Sequence, residues 1–513
     1  MQGDYSRNSF SPKNHFARVL KQQGRVDLDA DFNEQTSILL HYLQTLAEDV
    51  IGPFGGPCGK YLGFRIATFP SLTEAERSNL KGSKLLPPED GSDFIITRGR
   101  YYVNGLLCEN EEHLFYTLQP DLPGATRLET RKSYLVYLDV WERHLNSIEW
   151  PSIREVALGG PDTATRSQIV WQVKTTNALP DNNALSPRAD QGILDKFWDQ
   201  WVASWQPQNR GRLKAKAKET FDPAKDSDPC VLPPQSRYRG LENQLYRIEI
   251  HQGGPADKAT FKWSRDNASV VTRIINTMGK MVVVERLGRD ERSSFETGHW
   301  VEIVDDLATR TTQGQTGTGD VRPLFQIEHV DPQSQTIFLD VPDGMEIPQY
   351  NENSSPHPFL RRWDHEGDPE KPELGGALAV EESPAGQDEW LTIEDGIQIS
   401  FQPAANGHIY RTGDYWLIPA RTITGDIEWP PDTALPPRGV EHYYAPLAII
   451  GADGKTIDLR HTFMPLQSPA ANADCPEPAI TAPARLAAIR PSRAAPAAGR
   501  KRPARKPVVH RQI

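Results

Sequence analysis

The sequence has few cysteines and no long apolar run, and these absences exclude several classes of protein. Only four cysteines occur in 513 residues. No two of them are close enough in sequence to form a CxxC metal or redox motif. At this density we expect isolated, reduced thiols and no disulfide framework. No stretch of about 18 apolar residues occurs, so no transmembrane helix and no membrane insertion are predicted.

The first residues also lack the pattern of a secretory signal. The opening MQGDYSRNSF has no charged segment leading into an apolar one, so we expect no signal peptide. The sequence therefore favours assembly in the cytoplasm, with any release to the outside by another route.

Charge is unevenly distributed along the chain. The formal net charge is −11, but residues 478–513 hold nine Lys or Arg and no acid, which leaves −11 minus 9, or −20, for the rest. The Ala- and Pro-rich composition of this segment predicts a disordered basic tail, which we place at 467–513. Removal of residues 477–513 is expected to leave the melting temperature unchanged. This tail is either an arm for an acidic partner or, as we favour, a solvated segment. The acidic body makes nucleic acid an unfavoured partner.

Residues 29–51 have the pattern of an amphipathic helix. Asp31 and Glu34 have the spacing of a capping box, and Gly52-Pro53 predicts the helix end. Such a stripe is more often part of a core than a partner surface, but a helix near the end of a chain must bury its stripe on something, and a neighbouring subunit is a candidate. We therefore treat the apolar stripe as the candidate partner-docking site, formed by Leu39, Leu43, Leu46 and Val50.

The remaining chain predicts a mainly β protein of several small β-barrel or β-sandwich modules, with the N-terminal helix and the disordered basic C-terminal tail. Asn104-Gly105 predicts a hairpin turn, and the apolar run at 134–141 predicts a strand covered on both faces. Alternation at 246–251 predicts one buried and one wet face. The predicted boundaries are 1–56 for a helical docking segment, 57–180 for a first β module, 181–236 for an insertion or linker with a Trp-bearing helix, 237–345 for a second β module, 346–466 for a third β region and 467–513 for the tail.

Three tryptophans in the insertion share one helical face. Trp198, Trp201 and Trp205 are spaced as i, i+3 and i+7. They form either a stacking platform for sugars or a packed aromatic anchor, and we favour the anchor.

No catalytic, cofactor-binding or metal-binding residue is predicted. The chain has no GxxxxGK[ST], HExxH or GxSxG motif. The cluster at 364–368, with Asp364, His365, Glu366 and Asp368, is interpreted as a solvated loop in preference to a metal site. Asp266 and Asn267 follow a strand and are interpreted as turn residues in preference to a catalytic group. We therefore expect no enzyme, no hydrolase activity and no cofactor.

Several stretches resemble those of a known family. QGDYSR at 2–7 and QQGRVDLDADFNEQ at 22–35 are similar to the family motifs KGDFSR and QQGRVQLDADWNEQ. The chain departs from them at Gln2, Asp27 and Phe32, where the family usually has Lys, Gln and Trp. Further similar stretches cover most of the chain up to residue 466, at 137–143, 154–163, 239–247, 261–267 and 413–421.

This resemblance implies a role in a particle. The family is encoded with extracellular contractile injection systems and phage-tail-like particles, so the implied function is a structural or adaptor component, associated with a baseplate or tail fibre. The implied partners are baseplate, tube or fibre subunits, with a homo-oligomer or several copies per particle and release with that particle. Two alternatives stay open: a carbohydrate-binding or glycan-cleaving surface protein, favoured by 12 tryptophans, and an effector cargo of the particle.

Overall fold

The computed structural model describes most of the chain as a mainly β protein. The described residues are 2–177, 191–205, 209–217, 238–290, 292–310, 321–351, 357–403, 407, 409–464 and 480, without the side chains of 191–196, 308 and 309. The helices are α1 (Asp29–Ile51), α2 (Glu74–Leu80), α3 (Gln191–Trp205) and α4 (Asp306–Arg310), with short 3-10 turns at Pro12–Asn14, Phe69–Ser71, Tyr116–Leu118, Pro151–Ile153, Val156–Leu158 and Pro372–Leu374.

The strands follow one another through the whole described chain. In sequence order they are β1 (Phe54–Pro57), β2 (Ile66–Ala67), β3 (Ile95–Ile96), β4 (Gly99–Val103), β5 (Leu106–Asn110), β6 (Leu114–Phe115), β7 (Tyr134–Leu145), β8 (Arg166–Thr176), β9 (Arg212–Ala217), β10 (Gln244–Gln252), β11 (Thr260–Ser264), β12 (Val271–Met278), β13 (Met281–Val284), β14 (Trp300–Val304), β15 (Leu324–Asp331), β16 (Thr336–Asp340), β17 (Phe359–Trp363), β18 (Leu378–Ala379), β19 (Leu391–Thr392), β20 (Ile397–Gln402), β21 (Tyr415–Arg421), β22 (Asp426–Ile427), β23 (His442–Ile450), β24 (Thr456–Asp458) and β25 (Thr462–Phe463).

The first group of sheets, which we call the outer unit, joins strands from both ends of the described chain. Its sheets have the orders β25-β1-β4-β5, β2-β3-β6 and β24-β23-β7-β8. The hairpin at Asn104 and Gly105 is confirmed, since both residues have positive φ (46° and 72°) between β4 and β5. The strand at 134–141 is also confirmed as buried along its whole length.

In the sequence, the strands of the middle unit and of the barrel lie between the first and the last strands of the outer unit. The middle unit has the sheets β18-β11-β10-β21-β22 and β19-β20-β9, and the barrel closes in the order β12-β13-β16-β15-β14-β17. The barrel lies in sequence between β11 and β18, and β23 returns to pair with β7. The range 237–345 thus contains strands of both the middle unit and the barrel, and β9 arises within 181–236 and pairs with β20.

The polar face of β10 differs from its sequence prediction. Tyr246, Ile248 and Ile250 are buried as expected, but the alternate residues Arg247 and Glu249 are only 3% and 6% exposed. The prediction of a wet face is wrong. Arg247 pairs with Glu249 of the same strand, Glu249 also pairs with Lys262 of β11, and Lys262 pairs in turn with Glu302 of the barrel.

Two further expectations need correction. Cys58 is disulfide-bonded, so the expectation of reduced thiols is wrong there. Its partner lies outside the described residues, while Cys108 is a buried free thiol.

Ile480, in the predicted tail, is fully buried with Ala67, Leu72 and other apolar residues. The rest of 467–513 lies outside the described residues.

Replacing Ile480 with alanine should destabilise the protein. The side chain is fully buried in an apolar cluster, so its truncation should lower the free energy of unfolding by about 2–5 kcal/mol. Urea denaturation of the full chain measures this change. Ile423→Ala is the matched control, because Ile423 is 94% exposed. Equal stability of the two variants would show that Ile480 contributes no packing.

Candidate functional site

The predicted docking stripe lies on the solvent-facing side of α1. Leu39, Leu43, Leu46 and Val50 are 53%, 63%, 61% and 63% exposed. On this helix Ala30 and Ile38 are the buried residues. The alternative that the stripe packs into the core of its own chain is therefore wrong.

The opposite side of α1 rests on the hairpin turn between β4 and β5. A Cβ atom on Gly105 would lie 2.5 Å from the Gln44 carbonyl oxygen, so only glycine permits this close backbone approach. Next to it, Asn104 Nδ2 lies 3.4 Å from Glu48 Oε1. The turn thus fixes which side of the helix faces inward and leaves the stripe outside.

The beginning of α1 is held by the preceding segment and not by the predicted capping box. The helix spans 29–51 as predicted, but Leu28 is its N-cap and no side chain caps it. Because the helix starts at Asp29, Asp31 lies within its first turn. Asp29 accepts hydrogen bonds from Ser6 N (2.9 Å) and Ser6 Oγ (2.6 Å) instead.

Further apolar side chains extend the exposed surface around the stripe. α1 carries five acidic residues and no lysine or arginine, whereas residues 8–28 before it carry four lysines or arginines and one aspartate. The other exposed large apolar residues of these two segments are Phe16, Leu20, Val26, Leu28, Phe32, Leu40 and Tyr42.

Residues 2–7, which we call the strap, connect the three units. The Tyr5 hydroxyl lies 3.1 Å from His144 Nε2 and contacts Thr165 Oγ1 in the outer unit. Asn267 Nδ2, just before the barrel, donates to the Gly3 carbonyl at 2.9 Å, and Arg7 pairs with Glu428. The sequence showed this segment as a motif but gave no signal for its intramolecular contacts.

The polar cluster at 364–368 is partly buried. The Asp364 side chain is 1% exposed and accepts hydrogen bonds from Ser264 Oγ (3.0 Å) and Arg265 N (2.8 Å). His365 is also buried, and burial lowers its pKa to about 3. The solvated-loop prediction is wrong for these two residues, because β17 carries them directly against β11, and it holds for exposed Glu366.

The structure also shows the two places where the sequence left alternatives. Asn267, one of the two predicted turn residues, forms a tight turn with Ala268, with φ of 50° and 55°, while Asp266 pairs with Leu245 in an isolated bridge. The anchor interpretation of α3 is also confirmed: Trp198 is buried in the outer core, and Trp205 stacks on Tyr137 with ring centroids 4.7 Å apart.

Buried charges join the middle unit to the barrel. Lys262 Nζ lies 3.0 Å from Glu302 Oε2, and Arg322 Nη1 lies 3.2 Å from Glu302 Oε1. Arg247 Nε pairs with Glu249 at 2.6 Å. Burial alone would raise the pKa of Glu302, but the surrounding cations hold it well below its ordinary value. We call this group of buried charges the joint between the two units. Each of its carboxylates is already paired with cations of the chain.

In the described ranges, no group of three or more His, Cys, Asp or Glu side chains is placed to hold a metal ion. Of the helices among the described residues, none is both long and apolar enough to cross a bilayer.

Comparison with known families identifies the chain at family level. A family model described as a family of unknown function, DUF6519, matches residues 1–191 and 209–512. The chain belongs to this DUF6519 family. The match includes α1, the strap and all three units, so the candidate docking surface lies within the family region of this DUF6519 chain. No curated protein and no solved structure matches it.

Proposed function

We propose that this DUF6519 protein is a structural or adaptor subunit of a contractile injection system or phage-tail-like particle, and that it docks through the stripe on α1. The observation that carries the proposal is the exposure of Leu39, Leu43, Leu46 and Val50, each more than half accessible. Four such side chains on one helix face form a surface that gains free energy when a partner covers it, about 1.5–3 kcal/mol for each leucine fully buried.

The apolar character of the stripe restricts the partner. Four exposed apolar side chains on one helix face favour a subunit with an apolar groove, because polar groups buried against them would lose their hydrogen bonds. A helix laid into a groove by residues at i, i+4, i+7 and i+11 is a common mode of protein recognition. The sequence motifs at 2–7 and 22–35, which flank the start of this helix, support placing the partner among baseplate, tube or fibre subunits.

Charged substitutions in the stripe should prevent incorporation without unfolding the chain. Leu43→Asp with Leu46→Asp places two charges in the centre of the proposed interface, where they would be buried and unpaired. We expect at least a tenfold loss of the protein from particles purified after co-expression, with an unchanged melting temperature. Val156→Asp with Ile423→Asp is the matched control, since these residues are 85% and 94% exposed elsewhere.

Point variants separate docking from folding better than removal of residues 1–56. That deletion would also remove the strap, whose Tyr5 and Gly3 contact the body. Normal incorporation of the Leu43→Asp, Leu46→Asp variant would contradict the proposal. Retention of the isolated protein on a glycan matrix would favour the surface-protein alternative, and variable occupancy inside the particle would favour cargo.

A further inference from the structure

A groove of about 540 Å³ opens where the strap, the outer unit and the barrel meet. Its volume is within the range that holds small-molecule ligands. Residues Gln2–Asp4 of the strap form one side, and residues from the loops after β7 and β13 form others. The groove is therefore built from parts of the chain that are distant in sequence and that the strap brings together.

Six arginines and five carboxylate side chains line this groove. Two of them have carboxylate partners, Arg292 with Asp266 and Arg154 with Glu285. For the other four, no side-chain hydrogen bond or ion pair to a described residue is found; they are Arg273, Arg286, Arg289 and Arg361.

Arg361 is the most informative of these groups because it is buried. Its side chain belongs to β17, is 6% exposed, and its Nε atom has no hydrogen-bond partner among the described residues. A guanidinium group that is removed from water without a partner is costly, so buried arginines are normally paired.

The nearby glutamates do not supply that partner. Glu302 already accepts from Lys262 and Arg322, and Glu249 accepts from Arg247. The third, Glu149, is paired with Arg143 at 2.8 Å. All three attract Arg361 from a distance, but none is within ion-pair reach. Its guanidinium lies over the Phe359 ring, 5.2 Å from the ring centroid, and Arg361 is one of the residues that line the groove.

Carboxylate side chains also line the groove, and their hydrogen-bonding capacity restricts which ligands it can bind. Asp4, Asp162 and Asp290 lie on its wall. Asp162 already accepts from Ser147 Oγ and Asp290 from Ser293 Oγ, and an ionised carboxylate has the capacity to accept further hydrogen bonds from hydroxyl groups of a ligand. A ligand suited to this wall carries an anionic group for the arginines and hydroxyl groups for the aspartates.

We infer that the groove binds a small anionic sugar, a sugar acid or sugar phosphate, with its anionic group on Arg361. Arginine pairs with carboxylate and phosphate through two parallel hydrogen bonds, which suits either source of the anion. This site is separate from the stripe on α1 and does not depend on the proposed particle role.

Isothermal titration of the full chain with glucuronate, glucose 6-phosphate, glucose and inorganic phosphate tests the inference. We expect saturable binding of one or both charged sugars and no binding of glucose. The charged sugar that binds with the higher affinity shows whether the site prefers a carboxylate or a phosphate group. Arg361→Met should weaken that binding at least tenfold. Arg100→Met should not, because Arg100 lies on β4 and pairs with Glu109.

A second variant keeps the test decisive if Arg361→Met does not fold. Arg286→Met, at an exposed position on the groove wall, should weaken binding at least threefold with an unchanged melting temperature. Absence of binding by both charged sugars would overturn the inference, as would equal affinity in these arginine variants. Equally tight binding of inorganic phosphate would overturn the role of the hydroxyl groups.

Discussion

Replacing Glu302 with glutamine should destabilise the protein by about 3–5 kcal/mol, the usual cost of removing one partner from a buried ion pair. The substitution keeps the shape of the side chain but removes the charge that Lys262 and Arg322 share at 3.0 and 3.2 Å. Both cations stay buried or half-buried, so water replaces the lost attraction poorly. Urea denaturation followed by tryptophan fluorescence measures the loss.

Two control variants separate charge from packing in this experiment. Lys455→Met removes the cation of an exposed pair with Asp453, with side chains 74% and 62% exposed, and should cost less than about 1 kcal/mol. Lys262→Met combined with Glu302→Gln removes both charges and should recover part of the stability lost in the single variant. A loss below about 1 kcal/mol in Glu302→Gln would contradict the role of this joint.

Stability should fall steeply on mild acidification because three buried histidines are held neutral. Burial lowers the pKa of His144, His251 and His365 to about 3 in each case, against about 6.5 in an unfolded chain. Between these values the unfolded state binds protons that the folded state does not. Their contribution is therefore complete above pH 6.5 and is lost as the pH falls toward 3, by about 2 kcal/mol per histidine between pH 6.5 and 5.

Variants that cannot titrate test this pH dependence. The free energy of unfolding, measured in urea at pH 7 and pH 5, should fall less in His251→Gln and in His365→Gln than in the unmodified chain. His329→Gln, at an exposed position, should leave the difference between the two pH values unchanged. Identical pH dependence in all four proteins would show that these histidines are protonated in the folded state.

Elements with a complete local pattern could be predicted from the sequence. The helix at 29–51 has an apolar period and a Gly-Pro stop, and the turn at Asn104-Gly105 needs two residues with positive φ. The strand at 134–141 is apolar throughout. In each case the pattern that determines the element lies within that element and its next neighbours in sequence, so it can be read without the tertiary structure.

Features that depend on distant partners could not be predicted. The alternation in β10 indicates two different faces, but it cannot show whether water or a second layer of charge covers the polar one. Here Glu302 of the barrel forms an ion pair with Lys262 of β11, the strand next to β10. The groove likewise needs the strap, β12 and β17 together, and Arg361 alone in the sequence has no feature that distinguishes it from other arginines.

The nested order of the three units sets the order in which they can form during synthesis. β23 lies between β24 and β7 in its sheet, and His442 reaches its contact with Asp139 across 303 positions of chain. At ribosomal speeds of about 5–20 residues per second, β7 waits roughly 15–60 s for this neighbour. The barrel, whose strands are contiguous in sequence, is complete on the nascent chain first, while one edge of β7 stays open to other chains or to chaperones.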